Sequence, residues 1–459
     1  MKRHKLSIFV FRRALRLEDN TGLLRALEFS EKVIPCFIFD KRQVRENSYK
    51  SQNSLQFLIN SLKELDSKLR KKSSRLFLFY GIQEEILENL LTSQKIEAIF
   101  CNRDYTPFAI QRDEKIKNLC EKKGVEFYKF ADYLLSEPEN ALKKDGTPYS
   151  IFTPFFRNAS WKQVNIPEKI STNNFFSGKI DSEVDFAVTE KFLEKENPNI
   201  FVKGGRKEAL GILTNLEKFH NYEEERNFPS LSKTTGLSAH LKFGTVSVRE
   251  VYYKFFTKLG DSHPLIRQLY WRDFFTHIAF HFPQVFGNSF HKKYDQIEWK
   301  NDEKNFKLWC EGKTGFPIVD AGMRELSETG FMHNRVRMIV ASFLVKDLHI
   351  DWRWGEKYFA KKLVDYDPSV NNGSWQWAAS TGCDAQPYFR IFSPWSQQEK
   401  FDSDCLYIKK WIPELRNLEP KEIHKIWKES SLFASDYPRQ IVEHKEASSF
   451  AKEMFKNCK

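Results

Sequence analysis

No stretch of the chain comes near the roughly 18–20 consecutive apolar residues that a membrane-spanning helix requires; the run Leu6–Phe11 is six residues long and is flanked by Lys and Arg. Cysteine is sparse. Seven in 459 residues, an odd count with no CxxC or Cys/His spacing, exclude a disulfide framework and a structural zinc and point to a reducing compartment. No small-residue cleavage site follows the N-terminus, so no secretory leader is expected and the chain reads as intracellular and cytoplasmic. A glycine-rich GxGxxG is missing after the first apolar run, where the chain has RRALRLEDN, which argues against an ordinary dinucleotide binder. Internal repeats and low-complexity segments are absent.

Aromatic residues, by contrast, are abundant: 15% of the chain, with 42 Phe, 16 Tyr and 11 Trp. This suits a large aromatic core and a flat ligand. The net charge of +12 suits a polyanion such as nucleic acid or an anionic membrane surface, although scattered surface lysines would produce the same sum.

The first 130 residues alternate between strand and helix patterns. Strands are expected at 6–11, 33–39, 76–81, 98–102 and 126–130, with helices at TGLLRALEFS, SLQFLINSLKELDSKLRKK, EEILENLLTSQ and QRDEKIKNLCEKKG between them. Short apolar strands joined by helices predict a parallel sheet covered on both faces. Residues 131–199 lose that rhythm and read as a long connector that wraps rather than packs. From 200 to 459 the spacings of three and four predict an all-α region.

Four clusters carry chemistry. Residues 364–402 hold Asp365, Asp367, Asn371, Asn372, Trp375, Trp377 and Arg390, and the two tryptophans, two positions apart, must serve different faces of a helix. In GFMHNRVRMIVASF, Asn334 and Met338 share a helical face and Arg335 and Arg337 flank them. In QLYWRDFF, Gln268, Trp271 and Arg272 share a face, an arrangement that can stack on a base and hold a phosphate. Thr234, Thr235, Gly236 and Ser238 precede a helix at LSAHLKF, whose N-terminus could bind phosphate. Taken singly, each fits a core or capping residue as well.

Together, in this order, they resemble the cryptochrome/photolyase family over essentially the whole chain. FRRALRLEDN, TGFPIVDAGMREL with MHNRVRMI, and NNGSWQWAASTGCDAQPYFRIF carry the resemblance, the last with high specificity. The likeness implies a Rossmann-like α/β antenna domain (1–130), the connector (131–199) and an all-helical FAD-binding domain (200–459). It implies FAD held at its pyrophosphate and ribityl region by Tyr222, Thr234, Thr235, Gly236, Leu237 and Ser238, with Arg272 near it. Asp365 and Asp367 would lie at the isoalloxazine edge, Arg337 would pair with Asp365, and Asn371 would face flavin N5. An amide there accepts from N5–H without adding negative charge, whereas a carboxylate would repel an anionic flavin. Trp375, Trp352 and Trp299 would be the proximal, middle and surface members of an electron relay.

The resemblance further implies UV-damaged DNA as the partner of a monomer. Trp271 and Trp377 would wall a flipped pyrimidine dimer, with Gln268, Asn334 and Met338 touching it, and Arg226, Arg335, Arg390 and Lys400 would contact phosphates. The implied activity is that of a deoxyribodipyrimidine photo-lyase of the class I, cyclobutane-dimer type, in which reduced, light-excited FAD donates an electron that splits the dimer. Relatives that repair 6-4 photoproducts carry two histidines where Asn334 and Met338 stand, which favours the cyclobutane lesion; Gln268, where a Glu is usual, points the other way. A cryptochrome photoreceptor is the alternative, together with a 6-4 or single-strand-specific photolyase. The chain ends at Lys459 without a signalling tail, which favours repair. The antenna could take a folate, a deazaflavin or nothing: Ala14 replaces the family's Asp, and no acidic antenna residue is evident in NRDYTPFAIQRDE.

Overall fold

A computed structural model describes residues 3–429 and 436–458. Five strands form one parallel sheet in the order β3-β2-β1-β4-β5: β1 (His4–Phe11), β2 (Ser30–Asp40), β3 (Phe77–Gly81), β4 (Ala98–Asn102) and β5 (Glu126–Phe130). The strand order turns back between β1 and β4, as in doubly wound folds. Along β1, Phe9 and Phe11 enter one apolar cluster while Ile8 and Val10 enter another on the opposite face. Burial on both faces is why β1 to β4 read as apolar runs instead of alternating, whereas the edge strand β5 is partly exposed.

Helices α1 (Thr21–Phe29), α2 (Gln52–Arg70), α3 (Gln83–Ser93) and α4 (Pro107–Lys123) make the crossovers. Three of them start where a side-chain cap is available: Asn20, Ser51 and Thr106 each accept a hydrogen bond from a first-turn N–H. The turn after β1 is tied together by the Asn20 side chain. Its Oδ1 accepts from Asn102 Nδ2 at 2.8 Å, and its own Nδ2 donates to the Ala14 and Arg16 carbonyls.

The segment from 131 to 199 wraps the sheet, as backbone bridges Val33–Phe175 and Leu78–Val184 show. It also contains α5 (Phe152–Ser160), which the sequence reading passed over. Phe152, Phe155, Phe156 and Ala159 recur at helical spacing, so the signal was present but lay inside a stretch rich in turn residues.

Beyond residue 200 the described residues are helical and form no strand. The elements used below are α6 (Ser238–Phe243), α7 (Val248–Leu259), α8 (Pro264–His281), α9 (Glu303–Glu311), α10 (Pro317–Thr329), α11 (Asn334–Lys346), α12 (Trp352–Lys362), α13 (Pro368–Ala379) and α14 (His444–Lys456). One apolar cluster gathers α9 to α14, and a second surrounds α8 with α5 and α7. All seven cysteines are unpaired. No helix among the described residues is long and apolar enough to cross a membrane.

The two regions are joined by buried charge. Arg249 on α7 reaches Asp19, in the turn after β1, at 2.9 Å and Asp132, just past β5, at 2.8 Å. Arg16 takes the other Asp132 oxygen at 2.7 Å.

Candidate cofactor and nucleic-acid site

A cavity of about 560 Å³ opens among α6, α8, α11, α12 and α13. Its volume is that of a small-molecule or cofactor site. Tyr222, Thr234, Thr235, Gly236, Leu237 and Ser238 line one part of it. Gly236 has φ +69°, which favours glycine at this turn, and Thr235 Oγ1 accepts from Leu237 N at 3.3 Å. Helix α6 is only six residues long and Leu237 stands at its N-cap without a side-chain cap. The turn's hydroxyls and amides, more than a helix dipole, are therefore what it offers a phosphate.

Asp365, Asp367 and Asn371 line the cavity as well. Arg337 pairs with Asp365 at 3.1 Å, as expected, and is anchored by its Nε, which donates to the Met332 carbonyl at 2.7 Å. Asp367 caps α13 by accepting from Ser369 N and Val370 N, with Pro368 at the first helical position. Its other oxygen accepts from Arg13 and from the Tyr133 hydroxyl. Burial alone would raise this carboxyl, but Arg13, Tyr133 and Arg272 override it and hold it down at about 2. Asn371 Nδ2 donates to the Glu356 carbonyl at 3.1 Å, so its amide oxygen is the atom left to accept from a ligand. Neighbouring Asn372 donates to the Glu356 carboxyl, which burial pushes up to about 7.

Gln268, Trp271, Arg272, Asn334, Met338 and Trp377 also line the cavity. Trp271 stacks flat on Phe152 of α5, with ring centroids 3.6 Å apart, which fixes its plane from behind. Asn334 and Met338 share one face, with Nδ2 3.8 Å from the sulfur. His333 stands apart from them as the cap of α11: it accepts from Arg335 N, and burial, helped by Arg337 and Arg335, pushes it down to about 4. Trp375 and Trp377 do face different ways. Trp375 is 2% exposed and packed in the core, whereas Trp377 is half-buried.

Arg272 departs from the simple stacking-and-phosphate picture. Its guanidinium lies over the Tyr133 ring at 3.5 Å and bonds the Tyr133 carbonyl and Asp273, so it builds the wall instead of standing free for a phosphate. Arg335 is held by Asn227 at 2.7 Å and lies over Phe401, while Arg226 lines the cavity near Tyr222. Arg390 and Lys400 are exposed and lie outside the cavity lining. Of the relay candidates, Trp375 lines the cavity, Trp352 is fully buried in the same apolar cluster, and half-buried Trp299 packs on that cluster beside Phe455.

Sequence reasoning missed several residues of the site. Tyr133 and Lys242 line the cavity, and Arg13, from the sheet region, bonds two of its lining residues, Asp367 and Tyr133. Buried Trp309 meets the edge of Trp375 with centroids 6.3 Å apart. Arg13 and Lys242 had a signal, because both lie in motifs already singled out; Tyr133 and Trp309 had none beyond residue type.

This is the architecture of a flavoprotein class: a doubly wound α/β unit joined to a helical one that holds a cofactor-sized cavity. Residues 7–170 match the family described as DNA photolyase, and residues 265–457 match the FAD binding domain of DNA photolyase. A deoxyribodipyrimidine photo-lyase from Alkalihalophilus pseudofirmus is 37% identical, with 97% of each chain covered. Among solved structures, an archaeal photolyase from Sulfolobus tokodaii with two FAD molecules is 45% identical, with a TM-score of 0.89, over 98% of this chain and 100% of that one. A class III photolyase from Agrobacterium tumefaciens is 36% identical, with a TM-score of 0.91, over 99% and 98%. The chain belongs to the photolyase/cryptochrome family.

Proposed function

We propose that the protein is a light-dependent DNA-repair lyase that binds FAD in this cavity and acts on cyclobutane pyrimidine dimers. The observation that carries the reading is a single cavity that joins a hydroxyl-rich turn and an Asp365–Arg337 pair to a mouth bearing Trp271, Trp377, Asn334 and Met338. The residues suit the cofactor: the turn 234–238 offers hydroxyls and amides to a diphosphate, and the Asn371 oxygen can accept from a ring N–H. When bound, FAD supplies the light-driven electron that opens the cyclobutane ring.

The protein's own part is placement. Trp271, braced by Phe152, and Trp377 would hold a flipped dimer between aromatic faces. Gln268 and Asn334 would offer amide donors to its carbonyls, and Met338 a soft apolar contact. His333, capping and uncharged near neutrality, leaves this face without the proton donor that 6-4 repair needs. Arg226, Arg335, Arg390 and Lys400 would meet phosphates around the mouth, so binding should weaken as salt rises. Trp375, Trp352 and Trp299 would carry electrons inward from the surface.

We also read the chain as a monomer of an intracellular compartment, divided at about residues 130 and 200. That division is supported by five strands inside the first part and helices alone in the last. Because the Sulfolobus relative holds two FAD molecules, implicated there in light harvesting, a second flavin is the first antenna ligand to test, ahead of a folate or deazaflavin. Two flavins per chain in the purified protein would support it; one, with no other chromophore, would leave the α/β domain without an antenna.

The deciding experiment illuminates chemically reduced, FAD-containing protein with blue light on two oligonucleotides, one with a cyclobutane thymine dimer and one with a 6-4 photoproduct. Restored thymines are counted against a dark control. Repair of the first alone is expected. Repair of the second alone would give Gln268 the deciding role, and repair of neither would move the chain to the photoreceptors.

A further inference from the structure

Lys242 is a cation of the cavity that the reading above does not use. It lies in α6 and lines the cavity. The charges around it are Arg13, Asp367, Asp104 and Asp365. Every carboxylate in that set is already engaged. Asp367 binds Arg13 and Tyr133, Asp104 binds Arg13 at 3.0 Å, and Asp365 binds Arg337 at 3.1 Å. Among the described residues the Lys242 ammonium makes no hydrogen bond or ion pair; its contact is the Phe243 ring, 3.5 Å from Nζ to the centroid. Burial, and then the nearby Arg13, push its pKa down to about 7. An ammonium so placed costs free energy until an anionic group enters beside it.

FAD has two places for negative charge, the diphosphate and the ring once reduced. The hydroxyl-rich turn at 234–238 serves the first, whereas Lys242 sits among the carboxylates assigned to the ring edge. Resting on the FAD reading, we propose that Lys242 is the counter-cation for the charge the flavin ring gains on reduction, and thereby sets how strongly the protein favours the reduced cofactor. In balance, the oxidised ring takes two electrons from an external reductant, dithionite in the experiment, and one proton at N5, leaving one negative charge at N1. Lys242, partly deprotonated above pH 7 beside the neutral ring, takes up from solvent the fraction of a proton it lacks, approaching one at pH 9, as that charge appears. No covalent bond to the protein forms or breaks.

The test is a dithionite titration of the FAD-loaded protein against a reference dye from pH 6 to 9, for the wild type, Lys242→Met and Lys242→Arg. The methionine variant should lower affinity for reduced relative to oxidised FAD by about tenfold, the effect of one charge at several ångströms. It should also lose the extra proton taken up above pH 7. The arginine variant should restore the ratio but not the proton. An unchanged ratio in all three would overturn the proposal. So would an equal loss of affinity for both forms, which would assign Lys242 to the diphosphate. If the methionine variant does not fold, the wild-type proton count decides: an extra uptake that grows above pH 7 towards one proton at pH 9 supports the proposal, and none refutes it. Wild-type protein that holds no FAD at all would overturn the cofactor reading itself, a separate failure visible before any titration.

Discussion

Trp377 and Trp375 sit two positions apart on α13, yet their substitutions should fail in different assays. Trp377, half-buried at the cavity, should lose about 1–3 kcal/mol of lesion binding as Trp377→Ala, the usual worth of base–aromatic stacking. Unchanged affinity in a titration with dimer-containing oligonucleotide would remove it from the lesion wall. Trp375→Phe should stop photoreduction of the flavin while leaving repair by chemically reduced protein intact; if repair disappeared too, the relay role would be wrong. Glu356 tests the pocket's electrostatics. Burial pushes its carboxyl up to about 7, so its contribution to stability is fully present below the unfolded value, about 4.3, and is lost as pH rises through 7. Glu356→Gln does not titrate. Its stability relative to wild type should therefore rise by about 2–3 kcal/mol between pH 5 and pH 8 in urea unfolding. An equal difference at the two pH values would show that this carboxyl ionises normally.

Two helices that cross closely set the inner wall of the cavity. Helix α12 meets α13 where Gly355 faces Trp375, and a Cβ added at Gly355 would overlap the Trp375 ring and Leu344. The Trp375 ring cannot swing away, because it is wedged edge-on against Phe359 and Trp309. Gly355→Ala should therefore destabilise the protein by about 1–3 kcal/mol despite alanine's better helix propensity. A thermal melt that matched wild type would mean the two helices have room to separate. Helix α13 starts where it does because Asp367 caps it and is itself fixed by Arg13 from the sheet region.

At the scale of the whole molecule, the α/β and helical parts are joined by buried ions as well as by apolar packing. Arg249 neutralises both Asp19 and Asp132, and Arg16 shares Asp132. Arg249→Ala would leave two buried carboxylates short of a partner, so a loss of about 3–5 kcal/mol is expected in urea unfolding, with the two parts unfolding at separate midpoints. A loss below about 1 kcal/mol, with one midpoint, would show that apolar contacts alone hold the parts together. Because Arg13 also bonds Asp367 and Tyr133 in the cavity wall, the α/β part braces that wall through its own side chain, whatever it contributes as an antenna.

Much of this was legible in the chain itself. Two-sided burial writes the strands as apolar runs, and helical period writes α8 to α13, so both fold regions could be read from local pattern. The pairs Asn334/Met338 and Trp375/Trp377 were legible for the same reason, since helical geometry alone decides which neighbours share a face. Helix α5 escaped because it is only nine residues long and lies inside a turn-rich stretch. Contacts across long sequence separations lay beyond reach. Arg13 meets Asp367, Tyr133 lies between the Arg13 and Arg272 guanidiniums, and Lys242 is left beside carboxylates that other cations have taken. Neighbours a few residues apart decide which elements form and which faces they present, so both could be read along the chain. Which charge pairs with which emerges from the fold, because it depends on where distant segments meet and on how much water is excluded when they do.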